Sequence, residues 1–242
     1  MNLTLIILFI LGFFGWFFST VAAGGAATIL IPLIAFLLGA QLVAPVISVA
    51  ALIANPSRVY VFRKNIDWQI IRYLLPGTIF GSILGAWSFA QANSQVIQII
   101  LGIFLICYVA RNTLKKPKYF FKMRLKWFFS LGFCVSFLSG LIGATGPIQN
   151  PFMLNYGLSK ENLIGTKAVN SLFMQFTKLL SYGFFGVLTF EIASYGVIIG
   201  IGAIFGIMIA QKHLRSINAV RFKLYMHILM LFCGILLLFK AF

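Results

Sequence analysis

The sequence has few charged residues, and almost none of them are acidic. Only 9% of its 242 residues are charged, and just three of these are aspartate or glutamate. A water-soluble domain carries about 25% charged residues, so this chain cannot cover a surface that faces water. The scarcity of charge excludes a soluble enzyme or binding domain of useful size, and it predicts a protein whose solvent is lipid.

Cysteine and acidic residues are also too few for most kinds of chemistry. The three cysteines form no CxxC pair, so neither redox chemistry, a metal site nor a cofactor is expected. No GxSxG motif is present, so we do not expect an enzyme. Asp67, Glu161 and Glu191 each fall at a predicted helix start, where a carboxylate complements the helix dipole. His227 is then the one titratable candidate for proton coupling; the alternative is a histidine that only hydrogen-bonds a neighbour.

Apolar runs, by contrast, recur from one end of the chain to the other. Each approaches the roughly 20 residues that cross a hydrocarbon core of about 30 Å. They lie at 3–18, 42–62, 69–90, 96–110, 127–142, 163–185, 192–210 and 222–239. The runs lack the alternation of a transmembrane β-strand. We therefore expect an all-α polytopic membrane protein, with residues 1–242 forming a single integral membrane domain.

The formal charge of +16 could indicate either nucleic acid or a membrane. Basic residues of membrane proteins collect in cytoplasmic loops and set the orientation of the chain. Fifteen of the nineteen lysines and arginines lie in three clusters, at 58–72, 111–126 and 212–223. We therefore expect basic cytoplasmic loops and no nucleic-acid partner.

Several features recur about 120 positions later in the same order. The matched features are Ser19 and Ser139, Arg58 and Lys178, 22–26 and 143–147, and 81–86 and 202–207. Internal duplication of this kind is common in secondary transporters. We predict a first repeat at 1–112, a basic cytoplasmic linker at 113–126 and a second repeat at 127–242.

The basic clusters also predict how the two repeats are related. Eight full transmembrane helices, four in each half, would put the third cluster on the opposite side from the first two. If the short apolar pieces at 26–38 and 148–156 are separate helices, all three clusters fall on one side. Each half then has five segments, and an odd number inverts the second half. We expect two inverted five-segment repeats with short broken half-helices, and 4+4 full helices are the alternative.

The two short pieces predict breaks within the membrane. Thirteen helical residues span only about 20 Å. Gly24 and Gly25 precede the first piece, and Thr145 and Gly146 precede the second. Half-helix N-termini in transporters face anionic groups, so these four residues are candidate substrate ligands. The alternative is close helix packing, which is what we expect of the glycines at 81–86 and 202–207.

A polar stripe runs along one face of the segment 167–182. Asn170 and Lys178 lie within about 60° of Lys167 on a helix, opposite an apolar face. Charge at membrane depth is costly and by default faces the bundle interior, so these three residues are candidate substrate ligands. Asn55 and Arg58, on one face of the corresponding first-half helix, join them. For Lys167 and Arg58 the alternative is snorkelling to the cytoplasmic surface.

These stretches resemble the sulfite exporter TauE/SafE family, also called TSUP. The resemblance is carried by FSTVAAGGAATILIPLI, LSGLIGATGPIQNPFML and KAVNSLFMQFTKLLSYGFFG, and it covers essentially the whole chain. It implies a transporter of the bacterial inner membrane that exports sulfite, organosulfur anions such as sulfoacetate, or small carboxylates. The expected partners are a small anion and the lipid bilayer, and the sequence does not predict the oligomeric state. An anion channel and a non-transporting membrane assembly subunit are the alternatives.

Overall fold

The computed structural model describes residues 3–21, 26–113, 123–213 and 219–241, and every regular element within these ranges is helical. The helices are α1 (Leu3–Val21), α2 (Ala26–Leu38), α3 (Ala40–Val61), α4 (Trp68–Gln91), α5 (Ser94–Thr113), α6 (Trp127–Ile142), α7 (Gly146–Tyr156), α8 (Lys160–Phe184), α9 (Phe190–His213) and α10 (Ala219–Ala241). A 3₁₀ turn, Arg63–Asn65, joins α3 to α4. The all-α polytopic class is confirmed, and the described part of the chain holds ten helices rather than eight.

The described helices differ in whether they can cross a membrane alone. By length and composition α3, α4, α5 and α9 can do so, and shorter apolar segments occupy α1, α6 and α10. The 25-residue α8 is long enough, but its polar stripe interrupts its apolar surface. With 13 and 11 residues, α2 and α7 are too short to span a hydrocarbon core. α7 begins two residues earlier than predicted, so Gly146 belongs to its first turn.

The helices of the two halves interlock across the molecule. α1 packs along α9 and α4 along α6, while α3 contacts α8 and α9, α8 also contacts α4, and α5 pairs with α10. When α1–α5 are matched in order to α6–α10, the α1–α9 pair corresponds to α6–α4, and the α3–α9 pair corresponds to α8–α4. The α3–α8 and α5–α10 pairs each correspond to themselves. Matched helices therefore have matched neighbours, which is the pattern that a pseudo-two-fold axis produces.

Contacts at known positions give the relative direction of the paired helices. α4 and α6 run in the same direction, because Gly77 lies against Phe129 and Gly85 against Phe137. α1 and α3 run in the same direction as α9 for the same reason. Glycines further along one helix lie against residues further along its neighbour. The helices thus form two parallel sets, one around α9 and the other around α4.

The third helices of the two halves run in opposite directions. Gly165 in α8 lies against Phe62 just after α3, whereas Ser171, later in α8, accepts a hydrogen bond from the earlier residue Asn55. α8 runs with α4, because successive positions of the two helices meet. The second repeat is therefore inverted relative to the first, as predicted. The residue limits of the repeats stay predictions, since part of the linker lies outside the described residues.

Close approaches of glycine to backbone hold the α4–α6 and α1–α9 pairs together. A methyl group on Gly81 would lie 2.3 Å from a carbonyl oxygen of α6, and one on Gly206 would lie 2.2 Å from the Phe13 carbonyl oxygen. The predicted close packing of these glycines is confirmed. The alignment of Gly81 with Gly202 was wrong by one helical turn. Gly77 corresponds to Gly202 and Gly81 to Gly206, because each pair meets phenylalanines 120 positions apart.

Candidate functional site

The ammonium group of Lys167 lies at the first turn of α7. Its Nζ donates a hydrogen bond to Asn150 Oδ1 and is 4.0 Å from where a Cβ on Gly146 would stand. The first turn of a helix carries partial positive charge on unpaired N–H groups, which repels a cation and attracts an anion. The half-buried Lys167 and this helix end thus form one positive region, which a bound anion would stabilise.

Thr145 stands just before this turn but does not cap it. Its buried hydroxyl donates instead to the Val135 carbonyl oxygen of α6, 2.9 Å away, and makes no capping hydrogen bond. This bond folds the start of α7 back against α6. The Ile148 N–H bonds the backbone carbonyl oxygen of Thr145 at 2.9 Å instead, and Gly146 puts no side chain between the helix end and Lys167.

Lys178 occupies a different electrostatic environment. It is fully buried, and its Nζ donates to Ser139 Oγ at 3.1 Å and to the Gly143 carbonyl oxygen at 3.2 Å. Gly143 caps the C-terminus of α6, where unpaired carbonyl groups carry partial negative charge. A cation is favourable at this end of a helix. Lys178 is thus held by neutral groups at a negative helix end, whereas Lys167 lies at a positive one.

Tyr182, one turn beyond Lys178, also binds the end of α6. Its buried hydroxyl donates to the Gly140 carbonyl oxygen. Its ring packs edge-on against Phe89 of α4, with ring centroids 5.5 Å apart. Lys178 and Tyr182 together satisfy carbonyl groups at the break after α6.

Asn55 and Arg58 connect α3 with its neighbours. Asn55 Nδ2 donates to Ser171 Oγ at 2.9 Å, and Arg58 Nη2 lies 3.5 Å from Thr20 Oγ1 near the end of α1. Arg58 thus lies beside the last turn of α1, as its counterpart Lys178 lies beside the last turn of α6. α3 and α8 run in opposite directions and Asn55 meets Ser171, so Arg58, three positions after Asn55, lies at the level of Lys167, four positions before Ser171. The structure therefore places Arg58 and Lys167 at one level of the bundle.

Asn170 has a buried position between α8 and α4. Its Oδ1 accepts a hydrogen bond from Thr78 Oγ1 at 2.8 Å, and 1% of the residue is exposed. This bond ties the polar stripe of α8 to α4. Asn170 is thus near Lys167 along α8, but its carbonyl oxygen is already engaged.

The remaining candidates lie apart from this region or outside the described residues. Gly24 and Gly25 lie outside the residues that the structure describes. His227 is on α10, which packs against α5 and α2, and its ring meets the Tyr108 ring at 6.1 Å. Among the described residues, no group of His, Cys, Asp and Glu could hold a metal ion. The structure does not bring His227 to the lysines of α8.

Sequence reasoning missed several residues that complete this arrangement. Asn150 lies four positions after Gly146 and so on the same face of α7, a spacing that could have identified it. Ser139 recurs in the 120-residue match, but its role as partner of Lys178 depends on the fold of the break. Neither Thr78 nor Tyr182 stands in a pattern that predicts its partner.

Equivalent positions in the two halves carry different side chains. The second-half positions below, together with their partners on α4, are called the polar side. The equivalent positions on α1, α3 and α9 are called the apolar side. In the registers set by Ser19–Ser139, Arg58–Lys178 and Gly77–Gly202, the pairs are Ser136 and Trp16, Lys167 and Ile47, Asn170 and Ala50, Thr78 and Ala203, and Ser82 and Ile207. All except the half-buried Lys167 are buried. At these five pairs of positions the polar member of each pair therefore lies on the polar side.

A comparison with known families assigns the chain. The family model described as Sulfite exporter TauE/SafE matches residues 8–237. The chain belongs to the sulfite exporter TauE/SafE family. No curated protein and no solved structure matches it. Membership in this TauE/SafE transporter family makes the chain a membrane transporter, in agreement with its apolar helices.

Proposed function

We propose that the protein exports a small anion across the bacterial inner membrane, with its basic loops in the cytoplasm. The candidate cargoes are sulfite, organosulfur anions such as sulfoacetate, and small carboxylates. One observation carries the proposal, which is that the Lys167 ammonium lies at the positive first turn of α7. Two positive groups meet there, the partner that Lys167 bonds is the neutral Asn150, and an anion is the ligand that relieves their repulsion.

Arg58 adds to the positive potential at this point. It lies on α3 at the level of Lys167 on the neighbouring α8, so an anion bound between the two cations would be attracted by both. The arrangement suits a site that collects anions from the basic side of the membrane. Long-range attraction by such a basic surface raises the local concentration of anions.

Lys178 lies about 16 Å further along α8. Because its bonds are to neutral groups at the end of α6, an approaching anion can compete for its ammonium group. We infer that Lys167 receives the anion first and that Lys178 binds it deeper in the protein. Tyr182 and Phe89 would then close the far side of this deeper position.

The scarcity of acidic residues bears on the driving force. The side chain of Asp67 caps α4, and Glu161 and Glu191 lie in the first turns of α8 and α9. Each of the three acids is thus at a helix start rather than in the polar interior. With the cytoplasm negative, an exported monovalent anion gains about 2.3 kcal/mol per 100 mV. We infer that membrane voltage drives export without proton coupling.

Flux from proteoliposomes tests the proposed function. Purified protein is reconstituted with sulfite inside, and efflux is measured under an imposed voltage or an imposed pH gradient. Efflux that follows voltage and ignores the pH gradient is expected, and His227→Ala should behave like the wild type. Strict dependence on the pH gradient that is lost in His227→Ala would contradict voltage-driven export.

The same vesicles separate the alternatives. Sulfite, sulfoacetate, lactate and phosphate are compared as internal anions at matched concentration. Saturating flux is expected of a transporter, whereas unitary currents would identify a channel. Purified protein that moves none of these anions would favour an assembly subunit and contradict the proposal.

A further inference from the structure

Three buried polar atoms have no hydrogen-bond partner among the described residues. They are Ser82 Oγ, Ser136 Oγ and Gln175 Oε1. The residues are 0%, 0% and 3% exposed, so neither lipid nor bulk water can satisfy them. Buried polar groups in proteins nearly always have partners, and those that do not call for an explanation.

Ser82 lies between the levels of Asn170 and Tyr182 along α8. On α4 it is one turn beyond Thr78, whose hydroxyl bonds Asn170. Further along α4, the Phe89 ring packs on Tyr182. Since α4 and α8 run in the same direction, Ser82 is at the height of the residues midway between those two contacts.

Ser136 and Gln175 are at the same height. Ser136 is one turn before Ser139, the partner of Lys178, and α6 runs in the same direction as α8. Gln175 is three residues before Lys178 on α8 itself. The three unpartnered groups therefore fall at one level of the bundle, between Lys167 and Lys178.

The opposite side of the fold has no such level. The equivalents of Ser82 and Ser136 are the buried Ile207 and Trp16. The equivalent of Gln175 is Asn55, whose amide bonds Ser171. Among the residues that the structure describes, polar groups without a partner therefore occur only at the level between the two lysines of α8.

We propose that Ser82, Ser136 and Gln175 form an intermediate binding station for the transported anion. This inference rests on the proposed function. The two lysines are about 16 Å apart along α8, so an anion cannot leave one ammonium group and bind the other in a single step. The two serine hydroxyls donate hydrogen bonds to the passing anion, and the Gln175 carbonyl accepts one from water that the anion carries. The passing ligand satisfies groups that the protein leaves unpaired.

The test uses Ser82→Ala and Ser136→Ala in the full-length protein, with sulfite as the probe. Sulfite efflux from vesicles into a large excess of external buffer should fall about tenfold in each variant. This is the factor expected from losing one hydrogen bond to a charged group. The unfolding temperature should stay or rise, because each substitution removes an unpartnered polar atom. Ser57→Ala is the control, since Ser57 is a half-buried serine whose hydroxyl bonds the Ala54 carbonyl oxygen of its own helix. Its flux should match the wild type.

Each other outcome overturns the station. Unchanged flux together with raised stability would mean that the hydroxyls only cost folding energy. Lowered stability would mean that they have partners within the protein. Wild-type vesicles separate the two claims: no wild-type flux refutes the proposed function, whereas wild-type flux that both variants retain refutes the station alone.

Discussion

The polar and apolar sides of this protein share one backbone arrangement and differ in what fills it. On both sides a first helix packs along a fourth helix through glycines that touch backbone. On the apolar side the positions next to this contact are Trp16, Ile207 and Ala203, all buried. On the polar side their equivalents are serines and a threonine. Packing therefore follows the pseudo-two-fold symmetry, and the chemistry does not.

This difference indicates which features serve stability and which serve transport. In lipid, helices associate through close packing of small residues rather than through the hydrophobic effect. The glycine contacts meet that need equally in both halves. Polar groups inside the membrane are expensive, so we propose that their concentration at these positions of one side marks a single path rather than two equivalent ones.

The two lysines of α8 make the same point within one helix. Lys178 has the counterpart Arg58 in the first half, and each lies beside the last turn of a helix, α6 and α1 respectively. Lys167 has the counterpart Ile47, which is fully buried. The symmetric cations stabilise helix ends, and the asymmetric one faces the positive end of α7. We therefore propose that Lys167 is the main determinant of anion binding.

The largest effect on stability is expected from Trp16→Ala. This change empties the space that the apolar side fills with its largest buried side chain, and it should cost about 3 kcal/mol or more. Thermal unfolding in detergent measures the loss. Ser136→Ala, at the equivalent position, should cost nothing. Equal losses in the two variants would remove the distinction between the sides.

A loss of about 1–3 kcal/mol is expected from Gly81→Ala and from Gly206→Ala alike. Each added methyl group would lie within 2.3 Å of a carbonyl oxygen on the partner helix, so the helices must separate. Gly183→Ala is the control, because nothing lies within 4 Å of its Cβ position and alanine favours a helix. If only one of the two contact glycines proved sensitive, the packing would not be symmetric.

The smallest effect is expected from Tyr182→Phe. The variant keeps the ring against Phe89 and loses the hydroxyl, which donates to the Gly140 carbonyl oxygen and also bonds the Ser48 side chain. Stability should fall by about 0.5–1.5 kcal/mol, and a larger sulfoacetate leak under zero voltage should accompany it. A vesicle leak assay checks the second effect. A leak equal to that of the wild type would show that Tyr182 does not close the path.

Much of the fold followed from the sequence because its determinants are local. Apolar run length predicted the helices, and the basic clusters predicted the inversion that the helix directions confirm. The one-turn error between Gly81 and Gly202 arose because both stretches repeat glycine every four residues. Several registers then fit equally well, and only contacts with the partner helix choose among them.

The site was less predictable because it depends on the break between α6 and α7. The stripe on α8 predicted Lys167, Asn170 and Lys178 as one interior face. It could not predict that α7 would turn its first turn toward Lys167, or that the end of α6 would engage Lys178. Those partners are brought together by irregular backbone, which has no sequence period.

The measurement that tests the central claim most directly is the rise in unfolding temperature caused by sulfite. A ligand bound only by the folded protein at 100 times its Kd adds about 2.7 kcal/mol of stability. The wild type and the less stable Ile47→Ala should both show the full rise, since we propose that the anion binds on the polar side. Lys167→Ala should fold and lose the rise. A full rise in Lys167→Ala would show that the anion site does not lie between Lys167 and the first turn of α7.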